Sequence, residues 1–248
     1  MDPDALTIVV LMAAGFIAGV VDSIAGGGGL ITIPALLFAG ASPVSALGTN
    51  KLQAMFGSGT AAVSYARSGA VVASDMKTPI LLAAAASAVG AVVANILDPA
   101  LLNVVIPVAL IAIAVFFTVK PSLDDQDSEA RMEPAVFALT LVPLIGFYDG
   151  VLGPGTGSFF MIALVGLAGY GVLRATASTK VLNFASNVGG FAVFVAVGVI
   201  HWRVGLAMGV AEIAGAAVGS RLALANGARL IKPLLVTTCV AMALRLLL

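Results

Sequence analysis

Residues 21–40 read VDSIAGGGGLITIPALLFAG, an acid followed by four consecutive glycines and then an apolar run that stops again at Gly40. Four glycines end a helix, because each costs about 1 kcal/mol relative to alanine in a helix interior. The run at 26–40 is too short to cross a bilayer, which takes about 20 predominantly apolar residues. Nearly everything around it has that length. Apolar stretches at 5–22, 44–66, 77–97, 100–119, 135–152, 174–200, 203–224 and 228–248 predict eight spans. A second short segment, 155–169, opens with its own glycines in GPGTGSFF, 153–160. Both short segments are expected to be re-entrant half-helices or the second halves of broken spans.

The composition agrees, with 60% hydrophobic and only 10% charged residues. Average soluble domains carry roughly 25% charged residues, so the bilayer is the expected solvent. Twelve Lys and Arg against twelve Asp and Glu leave no basic excess to bind nucleic acid. One cysteine, Cys239, and one histidine, His201, do not supply the ligands of a zinc site, and no cofactor is implied. The opening Met-Asp-Pro-Asp has no basic segment, so the first run is expected to stay as a helix.

The chain also repeats. A shift of 129 residues pairs Gly26 with Gly155, Gly28 with Gly157, Gly40 with Gly169, Ala46 with Ala175, Lys51 with Lys180 and Gly90 with Gly219. Lysine inside an apolar run is rare, which gives that match weight. A shift of 131 pairs Gly15, Phe16 and Gly19 with Gly146, Phe147 and Gly150. The expected architecture is an all-α polytopic membrane bundle of about eight transmembrane helices in two homologous four-helix halves, 1–119 and 135–248. A polar, solvated linker at 120–134 joins them. Parallel and inverted relations of the halves both remain open. Arg67, Lys77, Lys120, Arg131 and Arg203 favour one membrane side and Arg174, Arg221, Arg229 and Lys232 the other, with a weak lean to a cytoplasmic linker.

Repeats with interrupted hydrophobic segments point to a transporter site at the repeat interface. The amides of Gly26, Gly27, Gly28 and Gly29, and of Gly155, Thr156, Gly157 and Ser158, are candidates to cradle an anion. Close helix packing is the alternative use of such glycines. GTNKLQ, 48–53, and ASTKVLN, 177–183, set Thr49, Asn50 and Lys51 against Ser178, Thr179 and Lys180, which together would offer an anion charge and hydrogen bonds. Alternatively, each lysine snorkels to the interface. Asp22, Asp149 and Glu212 are intramembrane carboxylates with a proton-coupling or charge-pairing role, and Asp22–Lys51 and Asp149–Lys180 are the expected pairs. Gln53 and Asn187 read as interhelical hydrogen-bond partners, and His201 and Trp202 as interfacial.

GFIAG (15–19), AGGGGLITIPALL (25–37), ALGTNK (46–51) and YARSGAV (65–71), echoed by GFYDGVLGPGTGSFF (146–160) and ATASTK (175–180), resemble the TauE/SafE sulfite exporter family, also called toluenesulfonate uptake permeases. The resemblance covers essentially the whole chain. It implies a multi-pass transporter of the bacterial inner membrane that moves sulfite, sulfonates or similar small anions. Its partners would be the anion and the lipid bilayer, with a coupling proton if one of the intramembrane carboxylates titrates, and self-association is compatible with it. The family's glycine cluster falls on Gly26 to Gly29 and on Gly155 and Gly157. Thr156 and Ser158 replace further glycines, so unequal half-sites are expected. An intramembrane serine protease built on Ser58 and His201 lacks the Gly-x-Ser-Gly arrangement, because Phe56 stands at its first position. A non-transporting assembly subunit is the other rival.

Overall fold

The computed structural model describes residues 3–71, 76–98, 100, 126–227 and 229–231. Among these, all regular structure is helical: α1 (Ala5–Ala25), α2 (Gly29–Phe38), α3 (Pro43–Arg67), α4 (Lys77–Ile96), α5 (Pro134–Val151), α6 (Thr156–Gly166), α7 (Val172–Val197) and α8 (Trp202–Asn226). The spans expected at 100–119 and 228–248, and Cys239, lie outside the described residues except for Ala100 and 229–231. Five helices, α1, α4, α5, α7 and α8, are long and apolar enough to cross a membrane. At 25 residues α3 is also long enough, but its middle carries buried Thr49, Asn50, Lys51, Gln53 and Ser58. Those polar groups face protein, and the lipid-facing surface is left to residues such as Leu6, Leu81, Leu139 and Val210.

Close approaches between glycines and their neighbours fix the helix directions. Gly15 meets Met208 and Gly19 meets Glu212, while Gly219 meets Val20 and Ser23, so α1 and α8 run parallel. Thr49 and Leu52 lie at Gly205, Phe56 at Gly209 and Gly57 at Glu212, so α3 runs parallel to them too. For α1 and α3 to be parallel, α2 must carry the chain back to the side where α1 began. The pair α1–α2 is therefore a re-entrant hairpin. The second half does the same: Ala83 at Gly146 and Ser87 at Gly150 make α4 and α5 parallel, Ala84 at Gly189 and Ser87 at Gly190 make α4 and α7 parallel, and α6 returns the chain. By contrast, α3 and α7 are antiparallel, with Gly48 at Phe194 and Gly59 at Phe184. Each half also lends its last described helix to the other, with α8 packed on α1 and α3, and α4 on α5 and α7.

This course redistributes the cations. Arg67 at the end of α3 shares a groove with Arg221 near the end of α8. Lys77 starts α4, Arg131 precedes α5, Arg174 lies in the first turn of α7 and Arg229 follows α8, all at the same face. Arg203 alone among the described exposed cations lies at the opposite face. The split expected from sequence is thus corrected, because the return of α6 moves Arg174, Arg221 and Arg229 to the linker side and Arg203 away from it. The described part of the linker, 126–134, is tied to the start of α7 and the turn before it. Ser128 N donates to Gly169 O, and Arg131 N and Met132 N donate to Leu167 O. Asp127 accepts from Gly171 N at 2.6 Å and pairs with Arg174, whose guanidinium stacks on Tyr170. The Gly171 N–H, more than the arginine, holds the Asp127 carboxyl below the usual carboxylate range.

Glycine makes these seams possible. A Cβ on Gly150 would collide with Ser87 O, and one on Gly90 with Phe147 O, whereas Gly166 has open space around it. Gly150→Ala should lower stability by about 1–3 kcal/mol through overpacking, with Gly166→Ala near neutral. Thermal unfolding of the purified variants in detergent measures the difference.

Candidate functional site

Helices α3 and α7 pass through the bundle in opposite directions, each carrying a lysine at its ninth residue, about 12 Å from its start. Lys51 is 2% exposed and Lys180 0%, so neither snorkels to the interface. Lys51 Nζ lies 2.6 Å from Asp149 Oδ2, and Lys180 Nζ 3.1 Å from Asp22 Oδ2. The pairs expected within each half, Asp22 with Lys51 and Asp149 with Lys180, do not form. Geometry explains the exchange. Asp22 is the eighteenth residue of α1, about 26 Å along it, whereas Lys51 is only about 12 Å along the parallel α3. Counted from the opposite face on antiparallel α7, Lys180 falls at the level of Asp22.

The hairpin tips touch. Gly26, at φ 72°, starts the turn, and a Cβ there would stand 2.5 Å from the carbonyl carbon of Gly157. Gly157 in turn leaves no room for a Cβ, which would lie 2.9 Å from Gly26 Cα and 3.3 Å from Lys180 Nζ. Ser158 Oγ donates to Ala25 O at 3.0 Å and to Gly26 O, tying the start of α6 to the end of α1. Thr156 is held locally, its hydroxyl donating to Gly153 O. Neither α2 nor α6 has a side-chain cap, and α6 starts from Gly155 at φ 77°.

The two half-sites differ in geometry. Asp22 Oδ1 accepts from Gly27 N at 3.0 Å and Gly28 N at 3.2 Å, so the first glycine cradle holds an oxyanion, the protein's own carboxylate. A Cβ on Gly28 would press on Asp22 Cβ at 2.9 Å. No backbone amide donates to Asp149 among the described residues. Asn50 Oδ1 accepts from Thr32 and Gln53, and a Cβ on Gly29 would lie 3.6 Å from Asn50 Nδ2. Asn187 Oδ1 accepts from Lys51, and its amide donates to Asn183 Oδ1 and, at 3.5 Å, to Ser58 Oγ. Asn187 is thus the interhelical partner expected, while Gln53 bonds within its own helix. Thr49 turns away, its hydroxyl accepting from His201 N at the α7–α8 turn. Ser178 and Thr179 are buried, and Thr179 Oγ1 has no partner among the described residues.

Other polar contacts escaped the sequence reading. Tyr65 donates to Ser23 O and Tyr148 to Pro154 O, bracing the hairpins from behind. Tyrosines within apolar helices were the available signal, since a buried phenol needs a partner. Asn183 and Asn187, four residues apart on α7, give another. Ser58 donates to Ala54 O in its own helix. His201 is held beside Thr49, nine residues and about 13 Å from Ser58 along α3, so the pair does not form a nucleophile and base.

Between the tips lies a void of about 20 Å³, lined by Asp22, Gly27, Asn50, Asp149, Thr156, Asn183, Asn187 and Glu212. It has room for about one water. Buried charge and amides gathered where short helices meet inside a multi-pass bundle are the arrangement expected at the centre of a membrane transporter. The sulfite exporter TauE/SafE family model matches residues 11–246, and the chain belongs to that family. It is 57% identical to the probable membrane transporter protein ORF9 of Sinorhizobium sp, over 96% of this chain and 91% of that protein. It is 42% identical to the probable membrane transporter protein YfcA of Escherichia coli K12, over 98% and 90%. A probable membrane transporter protein of Haemophilus influenzae is also 42% identical, over 92% and 90%. No solved structure matches the chain.

Breaking one member of a buried pair is costly. Lys51→Met should destabilise the protein by about 3–5 kcal/mol by leaving Asp149 buried without a counter-charge, and adding Asp149→Asn should restore most of that. Arg174→Met, at the exposed pair with Asp127, should cost no more than about 1 kcal/mol. Thermal unfolding of the three variants tests the contrast.

Proposed function

We propose that the protein carries small oxyanions, sulfur-containing ones such as sulfite or sulfonates, across the bacterial inner membrane. The observation that carries this reading is the pair of buried lysines held by carboxylates around a one-water void where the hairpin tips meet. A carboxylate already occupies the amides of Gly27 and Gly28 and neutralises Lys180. An incoming oxyanion of like shape and charge takes that position and releases Asp22. Gly26, Gly29, Asn50, Lys51 and Lys180 then contact it from one tip and its surroundings, and Gly155, Thr156, Gly157, Ser158, Ser178 and Thr179 from the other. The void is smaller than any oxyanion, so substrate enters when the tips part. Two hairpins reaching in from opposite faces supply two gates to one site, as alternating access requires.

The two halves are read as copies of one unit, inverted with respect to each other, because matched helices α3 and α7 are antiparallel and the packing of α8 on α1 mirrors that of α4 on α5. With six of the described exposed cations at the linker face and Arg203 at the other, the linker side is cytoplasmic by the positive-inside rule. In a Cys239→Ser background, Ser68→Cys should be shielded from a membrane-impermeant maleimide added to intact cells, and Asp98→Cys should react. The reverse pattern would invert the orientation.

Substrate choice is open to a direct screen. Sulfite, sulfate, thiosulfate, sulfoacetate, taurine and simple carboxylates should be compared by thermal shift, where a ligand at 100 times its Kd stabilises by about 2.7 kcal/mol. At least one sulfur oxyanion should raise the melting temperature of the wild-type protein. Lys180→Met should abolish that rise, and Lys180→Arg should keep part of it. Equal shifts in wild type and Lys180→Met would defeat the anion-site reading.

A further inference from the structure

The buried charges do not pair off. Lys51 and Lys180 each face one carboxylate, and Glu212 on α8 is a third, 1% exposed, with Oε2 unpartnered among the described residues. The anion reading gives it no task. Its space is nevertheless built for it by two missing side chains. A Cβ on Gly57 of α3 would stand 2.8 Å from the Glu212 carboxyl carbon, and one on Gly19 of α1 would lie 3.0 Å from its Cγ. The carboxyl thus fills a slot between α1 and α3 and lines the same void as Asp22 and Asp149. At a shift of 129 the matching position is Ala83, so the site has one such group. The buried ionisable groups on the elements around it are Asp22 on α1, Lys51 and Tyr65 on α3, Asp149 on α5 and Lys180 on α7.

We propose that Glu212 is the coupling-proton site of this carrier: its Oε2 takes up one proton when an anion binds, and the two cross together. The proposal rests on the anion-carrier reading. With Glu212 ionised and no substrate, two buried cations face three anions. With Glu212 protonated and one monovalent anion bound, the count is again two against three, whereas the anion alone would make it two against four. In a medium where unpaired charge is costly, the proton lets the anion in without changing the buried charge. The proton comes from the water on the side to which the tips open, forms the Oε2–H bond, and leaves to the other side with the anion.

Isethionate, a fully ionised monovalent sulfonate, is the probe. By linkage, a proton taken up with the anion makes anion affinity fall as pH rises, by up to about tenfold per unit. Wild-type protein in detergent should show that fall, and Glu212→Gln should bind isethionate with little dependence on pH. In proteoliposomes, an inward proton gradient should drive accumulation of labelled isethionate by wild type, while Glu212→Gln should exchange it without accumulating it. Glu212→Asp, which keeps the titrating group, should retain a pH slope and covers the case in which the glutamine variant fails to fold. Binding that ignores pH in wild type, an unchanged slope in Glu212→Gln, or a lost slope in a folded Glu212→Asp overturns the proton assignment and leaves the anion site standing. No binding by isethionate or any anion of the screen overturns both.

Discussion

Two ion pairs, Lys51–Asp149 and Lys180–Asp22, hold the centre of this protein, and each joins one half to the other. Charge at this depth is tolerable only when compensated, so the lysines and carboxylates constrain where α1, α3, α5 and α7 can sit. The glycine seams follow from that demand. To bring Asp22 to Lys180, α1 must lie close to α8 while its end reaches α7, and the small residues at Gly15, Gly19, Gly215 and Gly219 permit that closeness. The same holds for α5 against α4. The break at Gly26 and its mate at Gly155 then let α2 and α6 double back, which keeps non-helical backbone inside the protein and away from lipid.

Much of this was legible from residue order. Helix ends fell within about three residues of expectation, because bilayer thickness and glycine punctuation are strong local signals. The short runs announced themselves by length, and the charged centre by lysines within apolar stretches. What could not be read was direction. Whether α2 continues α1 or returns beside it depends on the turn at Gly26 and on which helix covers it, and neither leaves a periodic mark. That one unknown carried two errors with it, the pairing of acids and lysines within a half and the scattering of arginines over both faces. The contacts of the linker were hidden for a related reason: Asp127 is exposed, as its polar surroundings suggest, but its partners Gly171 and Arg174 lie far along the chain.

Asymmetry within the approximate repetition is as informative as the repetition. Among the described residues Asp22 gathers two amides where Asp149 gathers none, Ser158 bridges to the opposite tip where Gly29 has no side chain to do so, and Glu212 faces the void where the position matched by the 129-residue shift, Ala83, carries no charge. A strictly symmetric carrier would treat its two membrane faces alike. In the proposed carrier, such differences would give the inward and outward forms unequal energies, and so a basis for a preferred direction.

The exchange of partners between halves also bears on how the chain is made. Asp22 waits 158 residues for Lys180, and Lys51 waits until residue 149 has been synthesised. During that interval the first four helices hold an acid and a base with no lasting counter-ion. A hydrated setting would hold those charges at least cost until α5 and α7 arrive. The second half closes the two circuits in turn, the first when Asp149 is made and the second when Lys180 follows. A ribosome that stalls before that point leaves a fragment the membrane has little reason to keep.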